Sequence, residues 1–235
     1  MRALAVSVTN VTSLLPYMFR MRSVFYRERA AGMYKPEAHS LSHFLVEMPF
    51  QLLTITLVIT PLYFMVGFSP KPAQYFFYIF VVYICDLSFI SLGQAFTAFF
   101  STNAIASAVM SLILPIAAVF AGVYLPYPQI PEGASNGHPN VYLQWVFDIN
   151  PVSHAVYALG ATRFADPDRP STVNHKIAVT QGNSVQLVDA QAYFETSRGT
   201  FYNERWRHVG YIFALGGGLQ LAYQLLNRFV VHVTR

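Results

Sequence analysis

An all-α integral membrane protein of about five transmembrane helices, with a long extracellular loop containing a short interfacial helix, is the fold predicted by three observations. Hydrophobic residues make up 54% of the 235-residue chain and charged residues 11%, against about 25% charged in ordinary soluble domains. Five stretches are apolar over the length that crosses a bilayer core of roughly 30 Å, which takes about 20 helical residues. Five of the 15 basic residues crowd into one short loop, and Lys and Arg in short loops set orientation in a membrane. The composition excludes a disordered or nucleic-acid-binding chain, despite a net charge of +4. A lone cysteine, Cys85, permits no internal disulfide.

The first span, 2–19, is the weakest, because Ser7, Thr9, Asn10, Thr12 and Ser13 interrupt it. It has no small-residue cleavage site that would make it a signal peptide. Arg20, Arg22, Arg27, Arg29 and Lys35 follow and place the loop 20–40 in the cytoplasm. The second span, 41–67, crosses outward to a turn at Gly67-Phe68-Ser69-Pro70, and the third, 73–100, returns. A short connection at Ser101-Thr102-Asn103 leads to the fourth span, 104–125, which delivers 126–207 to the outside. That segment is rich in Pro, Asn, Asp and Gly and too polar for lipid. Within it, Val152–Phe164 reads as an amphipathic helix on the outer interface, with Pro151 in its first turn. Tyr202 and Trp206 are expected interfacial anchors for the fifth span, 208–232, whose end carries Arg228 and Arg235. Five crossings put Met1 outside unless another helix precedes it.

No phosphate-binding loop is present: the lysines are Lys35, Lys71 and Lys176, preceded by Tyr34, Pro70 and His175, where the motif requires glycine. No catalytic, cofactor-binding or metal residue is assigned. His39, His43 and Glu47 share a helix face at metal-ligand spacing but lack the further ligands a site needs, so a polar interfacial face is the expectation. Two acids fall inside spans. An Asp at a helix centre costs about 2.5–3.5 kcal/mol, while ten apolar neighbours of Asp86 return roughly 3–6 kcal/mol, so the helix inserts with Asp86 facing protein or a cavity. Glu47 lies about two turns inside, where a polar contact near the cytoplasmic gate is expected. Pro49, Pro61 and Pro115 are kink positions within spans, and Gly216-Gly217-Gly218 permits close helix approach.

Three blocks make the reading more specific. VFYRERAAGMY (Val24 to Tyr34) followed by VEMP (Val46 to Pro49), then FAGVYLPYPQIP (Phe120 to Pro131) with Trp145 and INPVSHAVYALGATRF (Ile149 to Phe164), and finally Tyr202 to Trp206 with RHVGYIF (Arg207 to Phe213) occur in this order. Together they resemble the pleiotropic drug resistance group of ABC transporters, in the G subfamily with the type-2 exporter membrane fold. The resemblance implies that the five spans are helices two to six of a six-helix half and that a first helix and a nucleotide-binding domain lie outside this chain. ATP and Mg would be bound there, not here. It implies that Arg27, Glu28 and Arg29 form a coupling loop docking on that domain. Asn10, Leu14, Met110, Leu114, Ala117 and Phe120 would line the substrate path between this half and a second one, and Val123 and Tyr124 would match the outer valve, although a Tyr departs from a purely aliphatic plug.

The expected function is the membrane half of an ATP-driven exporter of amphipathic compounds or lipids, in the plasma membrane. Its expected partners are a nucleotide-binding domain, a second transmembrane half, the bilayer and a hydrophobic or amphipathic substrate, with no nucleic acid. The alternative is a self-sufficient secondary transporter or channel using Asp86. A membrane enzyme built on His39, His43 and Glu47 is the third reading.

Overall fold

A computed structural model describes residues 2–68, 71–121, 141–164, 176–181, 184–189 and 202–230. Helices α1 (Arg2–Ala30), α2 (Pro36–Met65), α3 (Pro72–Phe99) and α4 (Asn103–Val119) come first. Two short helices, α5 (Val141–Ile149) and α6 (Pro151–Phe164), precede the strands β1 (Lys176–Gln181) and β2 (Ser184–Asp189). A 3-10 turn, Tyr202–Glu204, then leads into α7 (Arg205–Phe229). The chain divides into two compact units, one of Met1–Ile116 with Ile212–Arg235, the other Ala117–Tyr211.

Proline and glycine punctuate the helices. Pro36 and Pro72 open α2 and α3, where a missing N–H costs nothing and φ is already helical. At the other end of α1, Gly32 adopts φ +72°. Met33 N–H donates to Glu28 O at 3.1 Å and Gly32 N–H to Arg29 O at 3.0 Å, which is a Schellman cap. Gly67, at φ +70°, repeats the device after α2: Phe68 N–H donates to Tyr63 O and Gly67 N–H to Phe64 O. The four prolines within helices, Pro16, Pro49, Pro61 and Pro115, do not end them.

In the first unit α3 is central. It packs on both α1 and α2, and Val81, Val82, Cys85, Asp86, Phe89 and Ile90 along it are almost wholly enclosed. By contrast α2 leaves Leu41, Leu45, Phe50, Leu53, Leu57 and Phe64 exposed, an apolar surface suited to lipid or another membrane helix. Near Gly67, the rings of Phe68, Tyr75 and Tyr78 surround Tyr63 at centroid distances of 5.0–5.6 Å. Only one of the three final-span glycines makes a close approach: a Cβ on Gly216 would lie 2.7 Å from Ser88 Oγ, whereas Gly217 and Gly218 face open space.

Several boundaries differ from expectation. The cytoplasmic loop predicted at 20–40 is helical to Ala30, because only its apolarity stops at Phe19; Arg, Met and Glu sustain a helix well. Among the described residues three helices are long and apolar enough to cross a membrane, Pro36–Met65, Pro72–Phe99 and Tyr202–Phe229. The fourth predicted span appears as the shorter apolar α4, 17 residues ending at Val119, and α1 is long but carries the polar interruptions already noted. In the second unit, α6 is not a one-sided interfacial helix. Val152, Ser153, His154 and Ala155 are all buried, and four consecutive helical residues point in four directions about 100° apart. The segment 126–207 also holds α5 and an antiparallel hairpin, paired from Lys176–Asp189 to Gln181–Ser184. The all-helical description therefore holds for the membrane part, with this hairpin added.

Candidate functional site

Two groups of polar side chains in the first unit carry the chemistry. The first lies where α1, α2 and α7 meet at the basic end. Arg29 donates through Nη1 to Asn227 O at 2.7 Å and through Nη2 to Arg228 O at 3.0 Å. These are C-terminal carbonyls of α7, which have no helical partner and carry the negative end of the helix dipole. Arg22, two turns earlier, does the same for α3: Nη1 reaches Thr97 O at 3.0 Å and Phe100 O at 2.6 Å, and Nη2 donates to Ser101 O. The start of α2 is tied to α7 as well, since Asn227 Nδ2 donates to the buried Ser40 Oγ at 2.8 Å and Gln220 Nε2 to Ser40 O at 3.2 Å. Arg228 and Glu37 stand 3.6 Å apart at the surface, a pair too exposed to contribute much.

The three residues expected to dock on a partner therefore divide. Arg27 is exposed, Glu28 accepts from Tyr34 Oη at 2.5 Å, and Arg29 is committed to α7. Burial, and then the Glu28 carboxylate, push the Tyr34 phenol up to about 12. Beyond them Ala31, Gly32 and Met33 are exposed, Met33 at 70%. The His39 ring stacks on Phe25 at 4.2 Å and is edge-on to His43 at 4.5 Å, with its Nδ1 3.3 Å from Tyr34 Oη. The pair packs as aromatic rings. Among the described residues no three His, Cys, Asp or Glu side chains stand together as a metal site.

The second group is a chain of polar side chains between α1, α2 and α3. Asn10 Nδ2 donates to Gln51 Oε1 at 2.9 Å and lies 3.3 Å from Asp86 Oδ1. Gln51 Nε2 in turn donates to Glu47 Oε2 at 3.3 Å. Asp86 and Glu47, singled out separately by their cost in a membrane, thus belong to one network. Gln51 was the missed link. It stands four residues after Glu47 on the same helix face, and that spacing was the available signal.

Of the expected path residues, Asn10 belongs to this network and Leu14 packs beside the buried cluster of Met18, Ala95, Ala98 and Tyr223. Met110 and Leu114 are buried, while Ala117 and Phe120 are partly exposed. The exposed face of α4 is that of Leu112 and Ile116. Val123 and Tyr124 lie outside the described residues.

The second unit holds a histidine pair that the sequence reading passed over. His154 Nε2 is 2.9 Å from Asp148 O, a carbonyl that only accepts, so this nitrogen carries the proton. His154 Nδ1 then accepts from His208 Nδ1, 3.1 Å away. Burial lowers the pKa of His154, with the Asp148 carbonyl and charge opposing. Asn150 positions the helix beneath it: its Oδ1 accepts from Val152 N–H at 3.0 Å as an N-cap, and its Nδ2 donates to Ala117 O at 2.7 Å.

Comparison with known proteins gives a consistent picture. The profile of the family described as ABC-2 type transporter matches residues 1–164. The chain is 29% identical over 165 residues to ABC transporter G family member 35 of Arabidopsis thaliana, covering 70% of this chain and 11% of that protein. Against ABC transporter G family member 36 of Oryza sativa subsp. indica it is 31% identical over 167 residues, 71% of this chain and 11% of the relative. With pleiotropic drug resistance protein 1 of Nicotiana tabacum it shares 29% over 163 residues, 69% and 11% of the two chains. The chain thus spans about a tenth of the length of these relatives.

Proposed function

Because the chain belongs to the ABC-2 type transporter family, as the match over residues 1–164 shows, we propose that it is the membrane half of an ATP-driven exporter of amphipathic compounds or lipids. Membrane domains of this family work with a nucleotide-binding domain, which supplies ATP and Mg binding and hydrolysis. This chain contributes the membrane helices and the surface on which that domain acts. The observation carrying the proposal is the turn after α1: Arg27, Ala31, Gly32 and Met33 stand exposed at the tip, while the residues on either side are bonded into α7. An exposed tip on a braced base is suited to receive a push and deliver it to the helices.

The substrate path is proposed along α1 and α4, between this half and a second one. Asn10, Leu14, Met110, Leu114, Ala117 and Phe120 are its expected lining, but Met110 and Leu114 are buried within this half, so along α4 the proposed path follows the exposed Leu112 and Ile116 face instead. Val123 and Tyr124 are the proposed valve, and the plasma membrane the proposed location. The names of the relatives, G family ABC transporters and a pleiotropic drug resistance protein, support the exporter class.

The test is reconstitution in proteoliposomes with and without the nucleotide-binding partner, following a fluorescent amphipathic dye. ATP-dependent movement that requires both components is expected. Movement of solute by this chain alone on a proton gradient, abolished by Asp86→Asn, would overturn the exporter reading in favour of a secondary transporter.

A further inference from the structure

We infer that Arg22 and Arg29 make the end of α1 a yoke joining the coupling turn to α3 and α7, so that Arg29 is a positioning residue and not a docking contact. The inference rests on the coupling reading above and adds the route by which the push travels. The two arginines are seven residues apart, two helical turns, and so occupy one face of α1. Each spends its guanidinium on carbonyls at the C-terminal end of another helix, α3 for Arg22 and α7 for Arg29. A planar fork with two N–H groups side by side suits paired carbonyls, and a lysine ammonium does not reproduce it. Arg20 and Arg27, on other faces of the same helix, are exposed.

The far side of the turn is tied to the same place. Ser40, four residues into α2, bonds Asn227 and Gln220 of α7. A force applied at Ala31–Met33 therefore reaches the end of α7 from both flanks of the turn, through Arg29 before it and Ser40 after it. The Schellman cap at Gly32 stiffens the connection between them. A helix end whose carbonyls are held this way moves with α1 instead of fraying.

The experiment uses the assembled transporter in nanodiscs and proteoliposomes, with Arg29→Ala, Arg29→Lys and Arg27→Ala variants. Three quantities are read: amide hydrogen exchange over residues 226–230, association with the nucleotide-binding domain, and transport per ATP hydrolysed. Arg29→Ala is expected to speed exchange at the end of α7 about tenfold, from loss of two charge-assisted bonds, and to lower transport per ATP. Arg29→Lys recovers part of both. Arg27→Ala weakens domain association and leaves exchange at 226–230 unchanged. If Arg29→Ala weakens association as Arg27→Ala does and leaves α7 protected, the yoke is wrong and Arg29 is a docking residue. Fraying of α7 with transport per ATP unchanged also overturns the yoke as a coupling device. Failure of the docking reading shows itself separately, as association insensitive to Arg27→Ala.

Discussion

Asn10 on α1 and Asp86 on α3 meet within the packed helices, with Nδ2 3.3 Å from Oδ1. The same amide also serves Gln51 at 2.9 Å, so one side chain joins three helices. A buried carboxylate on an apolar helix is costly unless it finds donors, and Asn10 is one that α3 itself does not provide.

The network predicts an asymmetry between its members. Asn10→Ala should destabilise the helix assembly by about 1–3 kcal/mol, since it leaves both Asp86 and Gln51 short of a donor. Asp86→Asn keeps an oxygen for Asn10 and should cost less than Asp86→Leu. Thermal unfolding in a mild detergent measures all three. Equal losses for Asn and Leu at position 86 would show that the network contributes nothing there.

Gly216 gives a steric prediction with an internal control. Gly216→Ala places a Cβ 2.7 Å from Ser88 Oγ, closer than atoms pack, and should cost about 1–3 kcal/mol by overpacking. Ser88→Ala in the same chain removes the nearest atom and should recover part of the loss. Gly217→Ala, facing open space, should be neutral or stabilising by about 0.5–1 kcal/mol from helix propensity. Melting temperatures of the four proteins decide the order.

A backbone prediction concerns Gly32, whose φ of +72° lies in the left-handed region. A Cβ there meets no atom within 4 Å, so any penalty is conformational. Gly32→Ala should cost about 1–2 kcal/mol and Gly32→Asn less, because Asn tolerates this conformation better. Hydrogen exchange at Ala31–Met33 reports it. An Ala variant as protected as the parent would contradict the argument.

The histidine pair predicts a pH response. Burial depresses the His154 pKa below its ordinary value of 6.5, so the folded state favours the neutral ring. Stability from this group is then fully present above about pH 6.5 and is lost as pH falls below it towards the folded-state value. Protonation also removes the lone pair that accepts from His208. Protection of the amides at residues 150–162, with the pH dependence of intrinsic base-catalysed exchange divided out, should fall on acidification from pH 7 to 5, and His154→Gln should flatten that dependence. An unchanged profile in the variant would assign the response elsewhere.

Much of the helical framework was legible because it is local. Pro36 and Pro72 at helix starts, and Gly32 and Gly67 after helix ends, act within a few residues, and an apolar run of the right length announces a membrane helix without reference to its neighbours. The end of α1 was not legible from apolarity, which marks a lipid boundary and not a helix boundary: lipid affinity ends at Phe19, yet nothing stops the backbone before Gly32. The hairpin had a signal too, two alternating apolar runs separated by Gly-Asn in the sequence, lost under the polarity of the whole segment.

By itself, then, the sequence determined the membrane class, the basic turn, the family resemblance and the acids that need partners, since these depend on composition and short-range order. Tertiary structure decided what those residues do. Arg29 and Asn227 are 198 positions apart, and no local pattern distinguishes an arginine that caps a distant helix from one offered to a partner. Bonding of α7 to α1 and α2 turned Arg29 inward and left Arg27 outside, the approach of α7 to Ser88 on α3 selected Gly216 from three adjacent glycines, and packing of α1 on α3 brought Asn10 to Asp86. Hydrogen bonds act over about 3 Å, and which groups come that close is settled only when the helices pack.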